Sequence, residues 1–99
     1  MLNKLVVFGV GLIGGSFALA LREAGMVRHV VGFGRSARNL EAARAASVID
    51  EIGSDPAAVG NADLVVLAVP VGQMADIFAA IAPHLGPQTV VTDMGSTKQ

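Results

Sequence analysis

The chain contains no cysteine among its 99 residues, so it can hold neither a disulfide nor a thiolate-ligated metal. Charge of one sign is also missing: seven basic residues against eight acidic ones give a net charge of −1, with no block of like charge. Without a basic stripe, non-specific attraction to nucleic acid or to anionic lipid is not expected. Apolar runs stop near strand length and are too short to span a bilayer. A secretory signal would need a small-residue cleavage site beyond the first apolar run, and Gly9–Gly15 makes a poor h-region, so a cytoplasmic location is the expectation. No internal repeat or low-complexity segment is present.

What is there is apolar: 53% of the residues, against about 45–50% in ordinary globular chains. The excess fits a nearly all-buried parallel sheet, or a surface that normally meets something else. At 99 residues the chain supports one small domain. Leu5–Phe8, Val30–Phe33 and Leu64–Val69 are continuous rather than alternating, as in strands covered on both faces, and Thr89–Thr92 reads as the last strand. Val48–Ile52 gives a brief strand at most. Ser16–Ala24 reads as a helix burying Phe17, Leu21 and Ala24, with Arg22 and Glu23 in water and Gly25 as its stop. Ser36 is placed to cap a second helix whose Leu40, Ala43 and Ser47 share a face. Asp55-Pro56 starts a helix of little more than one turn. Pro70 ends the strongest strand, and Met74, Ile77, Phe78, Ile81 and Leu85 follow a helical period. Strand–helix alternation of this kind predicts an α/β, Rossmann-type parallel sheet with helices on both faces, strand order 3-2-1-4-5, and a ligand crevice between strands 1 and 4.

Gly9, Gly11 and Gly14 follow the first strand in the G-x-G-x-x-G spacing. The first glycine permits the tight turn, the second lets backbone approach a pyrophosphate, and the third allows close helix–strand contact. Gly15 adds another side-chain-free position on the first helical turn. The free amides there, with the helix dipole, offset phosphate charge, which makes Gly9, Gly11, Leu12, Ile13 and Gly14 candidate dinucleotide contacts. An NAD site usually carries Asp or Glu about 20 residues further on, at the end of the second strand. Gly34 occupies that place, followed by Arg35, Ser36 and Arg38. A guanidinium pairs with a ribose 2′-phosphate where a carboxylate would repel it, so NADP is the expected cofactor and NAD the alternative.

His29 and His84 fall near the amino ends of strands, away from the crevice, and read as surface histidines; Asp63 on that side reads as a capping or turn residue. Asp50, Glu51 and Asp55 have no metal-ligand spacing, and no metal site is expected. The carboxyl ends of strands 4 and 5 carry Val69-Pro70-Val71-Gly72 and Asp93-Met94-Gly95-Ser96-Thr97-Lys98. Val69, Pro70 and Gly72 are candidates to lie beside a nicotinamide ribose. Asp93 is a candidate to fix the loop, Ser96 to donate to the nicotinamide or a substrate oxygen, and Lys98 to attract an anionic substrate.

Gly9-Val10-Gly11-Leu12-Ile13-Gly14-Gly15-Ser16, Ala62-Asp63-Leu64-Val65, Ala68-Val69-Pro70-Val71 and Thr92-Asp93-Met94-Gly95-Ser96-Thr97-Lys98 together resemble the amino-terminal cofactor domain of the prephenate/arogenate dehydrogenase family. The resemblance covers nearly the whole chain. It implies oxidative decarboxylation of prephenate or arogenate in tyrosine biosynthesis, with the ring hydride passed to the nicotinamide and Ser96 at the active site. It further implies that the family's catalytic histidine and substrate-binding arginines lie in a downstream His-Pro segment and an all-helical, dimerising domain not contained in this chain. The chain alone is then expected to be inactive, and loss of the helical partner to expose an apolar patch. Ser47 stands where many relatives have glycine. Two other readings stay open: the cofactor domain of a β-hydroxyacid or 6-phosphogluconate-type dehydrogenase, and a non-enzymatic nucleotide-sensing module. A methyltransferase fits less well, since nothing acidic ends the second strand.

Overall fold

The computed structural model describes residues 2–9 and 12–93. Five parallel strands, β1 (Leu2–Phe8), β2 (Val27–Phe33), β3 (Glu51–Ile52), β4 (Leu64–Leu67) and β5 (Val90–Asp93), form one sheet in the order β3-β2-β1-β4-β5. The connections carry α1 (Leu12–Glu23), α2 (Ala37–Ala45), a 3-10 turn at Pro56–Asn61, α3 (Val71–Ile81) and a 3-10 turn at Ala82–His84. This is the expected doubly wound Rossmann-type fold and strand order.

The continuous apolar strands are explained by burial on both faces. Val6 and Phe8 point into a core with Val31, Val65, Leu67 and Ile81, against which Met74 and Ile77 of α3 pack. Leu5 and Val7 point the other way, among Val30, Val66, Ala18 of α1 and Leu40 of α2. Leu5, Val6 and Val7 have no exposed surface, and full burial of such a side chain stabilises by about 1.5–3 kcal/mol. None of the helices among the described residues is long and apolar enough to cross a membrane.

Several boundaries differ from the sequence expectation. β1 and β2 begin three residues earlier, because the parallel ladder pairs Leu2 with Val27 and Lys4 with His29 and needs no apolar side chains to do so. β4 ends at Leu67, two residues before Val69, and β5 is shifted by one residue to Val90–Asp93. Ala18 of α1 has no exposed surface, Phe17 and Leu21 are partly buried, and Ala24, just past the end of the helix, is exposed.

Both long connections on the α1–α2 face end in the same way. Gly25, at φ +70°, donates its amide to Arg22 while the Met26 amide reaches back to Leu21. Ser47, at φ +64°, donates to Arg44 while Val48 reaches back to Ala43. These are Schellman closures, and their left-handed position favours glycine. Ser47 therefore does not extend the buried face with Leu40 and Ala43: it is exposed and terminates α2.

Arg22 also departs from expectation. It does not point free into water but donates to both carboxylate oxygens of Asp50, at 2.6 and 3.0 Å. Asp50 in turn accepts the Val30 amide at 2.8 Å, tying α1 to β2 and to the start of β3. Burial pushes the Asp50 carboxyl up, but the Arg22 and Val30 hydrogen bonds and the charges of Arg22 and His29 outweigh it and hold the group below its usual range. Asp63 behaves as a turn residue, accepting the Asn3 and Lys4 amides at 2.6 and 3.2 Å.

Candidate functional site

The carboxyl ends of β1, β2 and β4 meet around a cleft of about 600 Å³. Its floor comes from the way Gly9 crosses between neighbouring strands. Gly9 has φ +90° and donates its amide to the Phe33 carbonyl at 2.7 Å. A Cβ there would collide with the Ala68 carbonyl and sit 2.8 Å from Val69 Cγ1, so only glycine fits. Gly14 is pressed in the same manner: a Cβ would lie 2.6 Å from the Gly9 carbonyl oxygen and 3.1 Å from Val7 Cγ1. The first turn of α1 thereby rests on the sheet, as expected of the third glycine of the motif. At Gly15 a Cβ would meet only Val48 Cγ1, at an ordinary contact distance of 3.9 Å, so packing does not require glycine there. Gly11 and Val10 lie outside the described residues, and Leu12 and Ile13 open α1.

One wall of the cleft is the β2–α2 connection: Gly34, Arg35, Ser36 and Asn39. Ser36 Oγ accepts the Asn39 amide at 3.2 Å and so caps α2, which still leaves its hydroxyl hydrogen to donate. Arg38 is exposed on the first turn of α2 and does not line the cleft. The opposite wall is Ala68, Val69, Pro70, Gln73 and Ile77, from the end of β4 and the start of α3. No carboxylate stands among the described residues that line the cleft.

Phe8 and Phe33 form the apolar base, their rings stacked with centroids 4.5 Å apart and planes 13° from parallel. The Phe33 ring reaches over Gly53, where a Cβ would fall on the ring, 2.7 Å from Cε2. Sequence reasoning missed Gly53, Asn39 and Gln73. A hint existed for Asn39, three residues beyond the helix cap, and for Gln73, a lone amide in the otherwise apolar Val69–Met74 segment.

The other end of the sheet holds the expected non-participants. His29 lies in the first half of β2 with Nε2 2.9 Å from Glu51 Oε1, and His84 is exposed at the end of a 3-10 turn. Asp93 ends β5 opposite Leu67. It lines a second, smaller cleft of about 270 Å³ with Met74, Phe78 and Val91 and does not join the first. Gly72 is exposed on α3. Ser96 and Lys98 lie outside the described residues. Among the described residues no group of three His, Cys, Asp or Glu is placed to hold a metal ion.

The arrangement can take a phosphorylated, partly apolar ligand: glycine backbone at the α1 start, a cation and hydroxyl at the end of β2, and aromatic and aliphatic walls between them. Residues 17–99 match the family described as prephenate dehydrogenase, nucleotide-binding domain. The chain is 37% identical over 97 residues to cyclohexadienyl dehydrogenase of Zymomonas mobilis, covering 97% of this chain and 33% of that protein. Its fold superposes on the crystal structure of prephenate dehydrogenase from A. aeolicus in complex with hydroxyphenyl propionate and NAD+, with TM-score 0.88 and 31% identity over 99% of this chain and 35% of that one. It is similarly close to Synechocystis arogenate dehydrogenase, with TM-score 0.85 and 33% identity over 97% of this chain and 34% of that one. The chain spans about a third of the length of each of these relatives. With the glycine turn, the strand order and the family match in agreement, the chain belongs to the prephenate dehydrogenase family, as its nucleotide-binding domain.

Proposed function

We propose that this chain is the NADP-preferring cofactor domain of a prephenate or arogenate dehydrogenase. The observation that carries the cofactor choice is the end of β2, where Gly34, Arg35 and Ser36 line the cleft and no carboxylate does. A carboxylate there would accept the ribose hydroxyls of NAD and repel a 2′-phosphate. A guanidinium pairs with that phosphate through charge-assisted hydrogen bonds, and the Ser36 hydroxyl adds a donor. In this reading the backbone of Gly9, Gly11, Leu12, Ile13 and Gly14 receives the pyrophosphate at the start of α1. Val69 and Pro70 lie beside the nicotinamide ribose, Arg38 adds positive potential from the outer face of α2, and Asp93 orders the loop that carries Ser96 and Lys98. The nicotinamide, when bound, supplies the hydride acceptor.

The remaining chemistry is assigned to a helical region outside this chain, which would provide the general base, the substrate arginines and the dimer contact. Tyrosine biosynthesis is the pathway, the cytoplasm the location, and prephenate or arogenate the substrate of the intact enzyme. The chain alone would then bind cofactor without turnover.

Calorimetric titration with NADP and NAD at matched ionic strength tests the reading. A charged hydrogen bond contributes about 1.5–3 kcal/mol, so NADP is expected to bind at least about tenfold more tightly. Arg35→Ala is expected to remove most of that margin, the affinity step of one lost charge contact, while leaving NAD within about twofold of the unaltered protein. Equal or tighter NAD binding overturns the NADP assignment.

A further inference from the structure

We infer that Gln73 reads the edge of the adenine base, making it a specificity residue for the purine of the dinucleotide. The inference rests on the cofactor reading above and adds a residue to it. A dinucleotide has two fixed points in such a fold: pyrophosphate at the glycine turn and the adenosine ribose at the end of β2. From the ribose, the base can only continue into the outer part of the cleft, between the Arg35–Asn39 wall and the first turns of α3.

On the α3 side, the wall is Val69, Pro70, Gln73 and Ile77. Gln73 is the one side chain of these four with a hydrogen-bonding group. Ile77 is one turn further on the same helix face and partly buried, so it offers an apolar platform beside the amide. The Gln73 backbone amide is committed to the Pro70 carbonyl at 2.9 Å, which fixes the turn carrying the side chain. Gln73 as a residue is partly buried, and its side-chain amide takes no hydrogen-bond partner among the described residues. A glutamine amide presents one acceptor and two donors, the complement of the adenine N6–H and N7 edge, which Gln reads in a bidentate manner. Hypoxanthine carries a carbonyl in place of the N6 amino group. Beside N7 it offers two acceptors, of which the amide can satisfy one while its own oxygen opposes the other.

The test titrates the full chain with NADP and with nicotinamide hypoxanthine dinucleotide phosphate, on the unaltered protein, Gln73→Leu and Gln73→Met. Methionine keeps the length and helix propensity of glutamine without the amide, so the pair separates lost recognition from a disturbed helix. The unaltered protein is expected to favour NADP by about tenfold, the discrimination of one bidentate base contact. Both variants are expected to bring the ratio to within about twofold, chiefly by weakening NADP. An unaltered protein without base preference, or a preference that survives both substitutions, overturns the assignment of Gln73 while the cofactor reading stands. Failure of both dinucleotides to bind the unaltered protein overturns the cofactor reading and this inference with it.

Discussion

Gly53→Ala is the sharpest test of how the cleft is built. Gly53 follows β3, and its amide donates to the Gly32 carbonyl at 2.8 Å, so its backbone is held to the sheet. A methyl group at this position would fall on the outer end of the Phe33 ring, with Cε2 2.7 Å away against the 3.4–4 Å of ordinary contact. The backbone cannot retreat without losing its ladder bond, so the ring has to move. It is already stacked on Phe8 at 4.5 Å, and both rings line the cleft. Relief therefore means an off-rotamer Phe33, a broken stack, or a ring pushed into ligand space.

Overpacking of this kind costs about 1–3 kcal/mol, and loss of a stacked pair about 0.5–1.5 kcal/mol. Since part of the strain is relieved by unstacking, the two costs do not add in full, and about 2 kcal/mol is expected. For a domain of this size that corresponds to a fall in Tm of about 8–16 °C. The assay is thermal and urea unfolding of Gly53→Ala, Phe33→Leu and the double variant. Leucine ends short of the space a Cβ at position 53 would fill, so Gly53→Ala should cost little in the Phe33→Leu background, giving a strong coupling in the cycle. A Tm for Gly53→Ala within about 2 °C of the unaltered protein, a cost of at most about 0.5 kcal/mol at about 4–8 °C per kcal/mol, would refute the steric argument.

Two further outcomes concern the fold. Ser47→Gly relieves a left-handed residue at the end of α2 and is expected to raise stability by about 0.5–1 kcal/mol after the entropy of the unfolded glycine is counted, read as an upward shift in the urea midpoint. Asp50 has its carboxyl held below its ordinary value in the folded chain, so its contribution is present above the ordinary carboxylate pKa and is lost as pH falls through the lowered one. Asp50→Asn should therefore destabilise at pH 7 by about 1 kcal/mol, and should flatten the acid side of the stability profile measured between pH 6 and about pH 3. An Asp50→Asn profile as steep as that of the unaltered chain would remove Asp50 from that role.

The strands and the glycine turn were readable because each depends on residues close in sequence, and the sheet order followed from strand–helix alternation with right-handed crossovers. Leu5–Phe8 and Leu64–Leu67 are continuous apolar runs, and a strand buried on both faces can scarcely look otherwise. Ser36 and Asp55 were readable as caps because a cap acts within three residues: Ser36 on the Asn39 amide and Asp55 on the Ala57 amide. Asp50 was not readable, since its partners Arg22 and Val30 are 28 and 20 residues away. Gly53 was not readable either. Its backbone is unexceptional, and the reason for glycine is the reach of a ring on a neighbouring strand.

These positions also explain why the two ends of the sheet are suited to different work. Polar ties that join separate elements, the Arg22–Asp50 ion pair and the contact of His29 with Glu51, lie at the amino ends of the strands. There too Asp63 gathers the Asn3 and Lys4 amides, and the Lys4 ammonium binds the Ala58 carbonyl at 2.6 Å and Asn61 Oδ1 at 2.7 Å. At the carboxyl ends, close approach is achieved by missing side chains, at Gly9, Gly14 and Gly53. An uncompensated carboxylate beside the cleft would repel a phosphorylated ligand by about 4 kcal/mol per unit charge pair at about 4 Å and an effective dielectric of about 20. Closing the cleft with glycine and stacked phenylalanine leaves Arg35 as the charged side chain among the described residues that line it. The stabilising polar ties can then be strengthened or cut at one end of the sheet without altering the sign of the potential at the other.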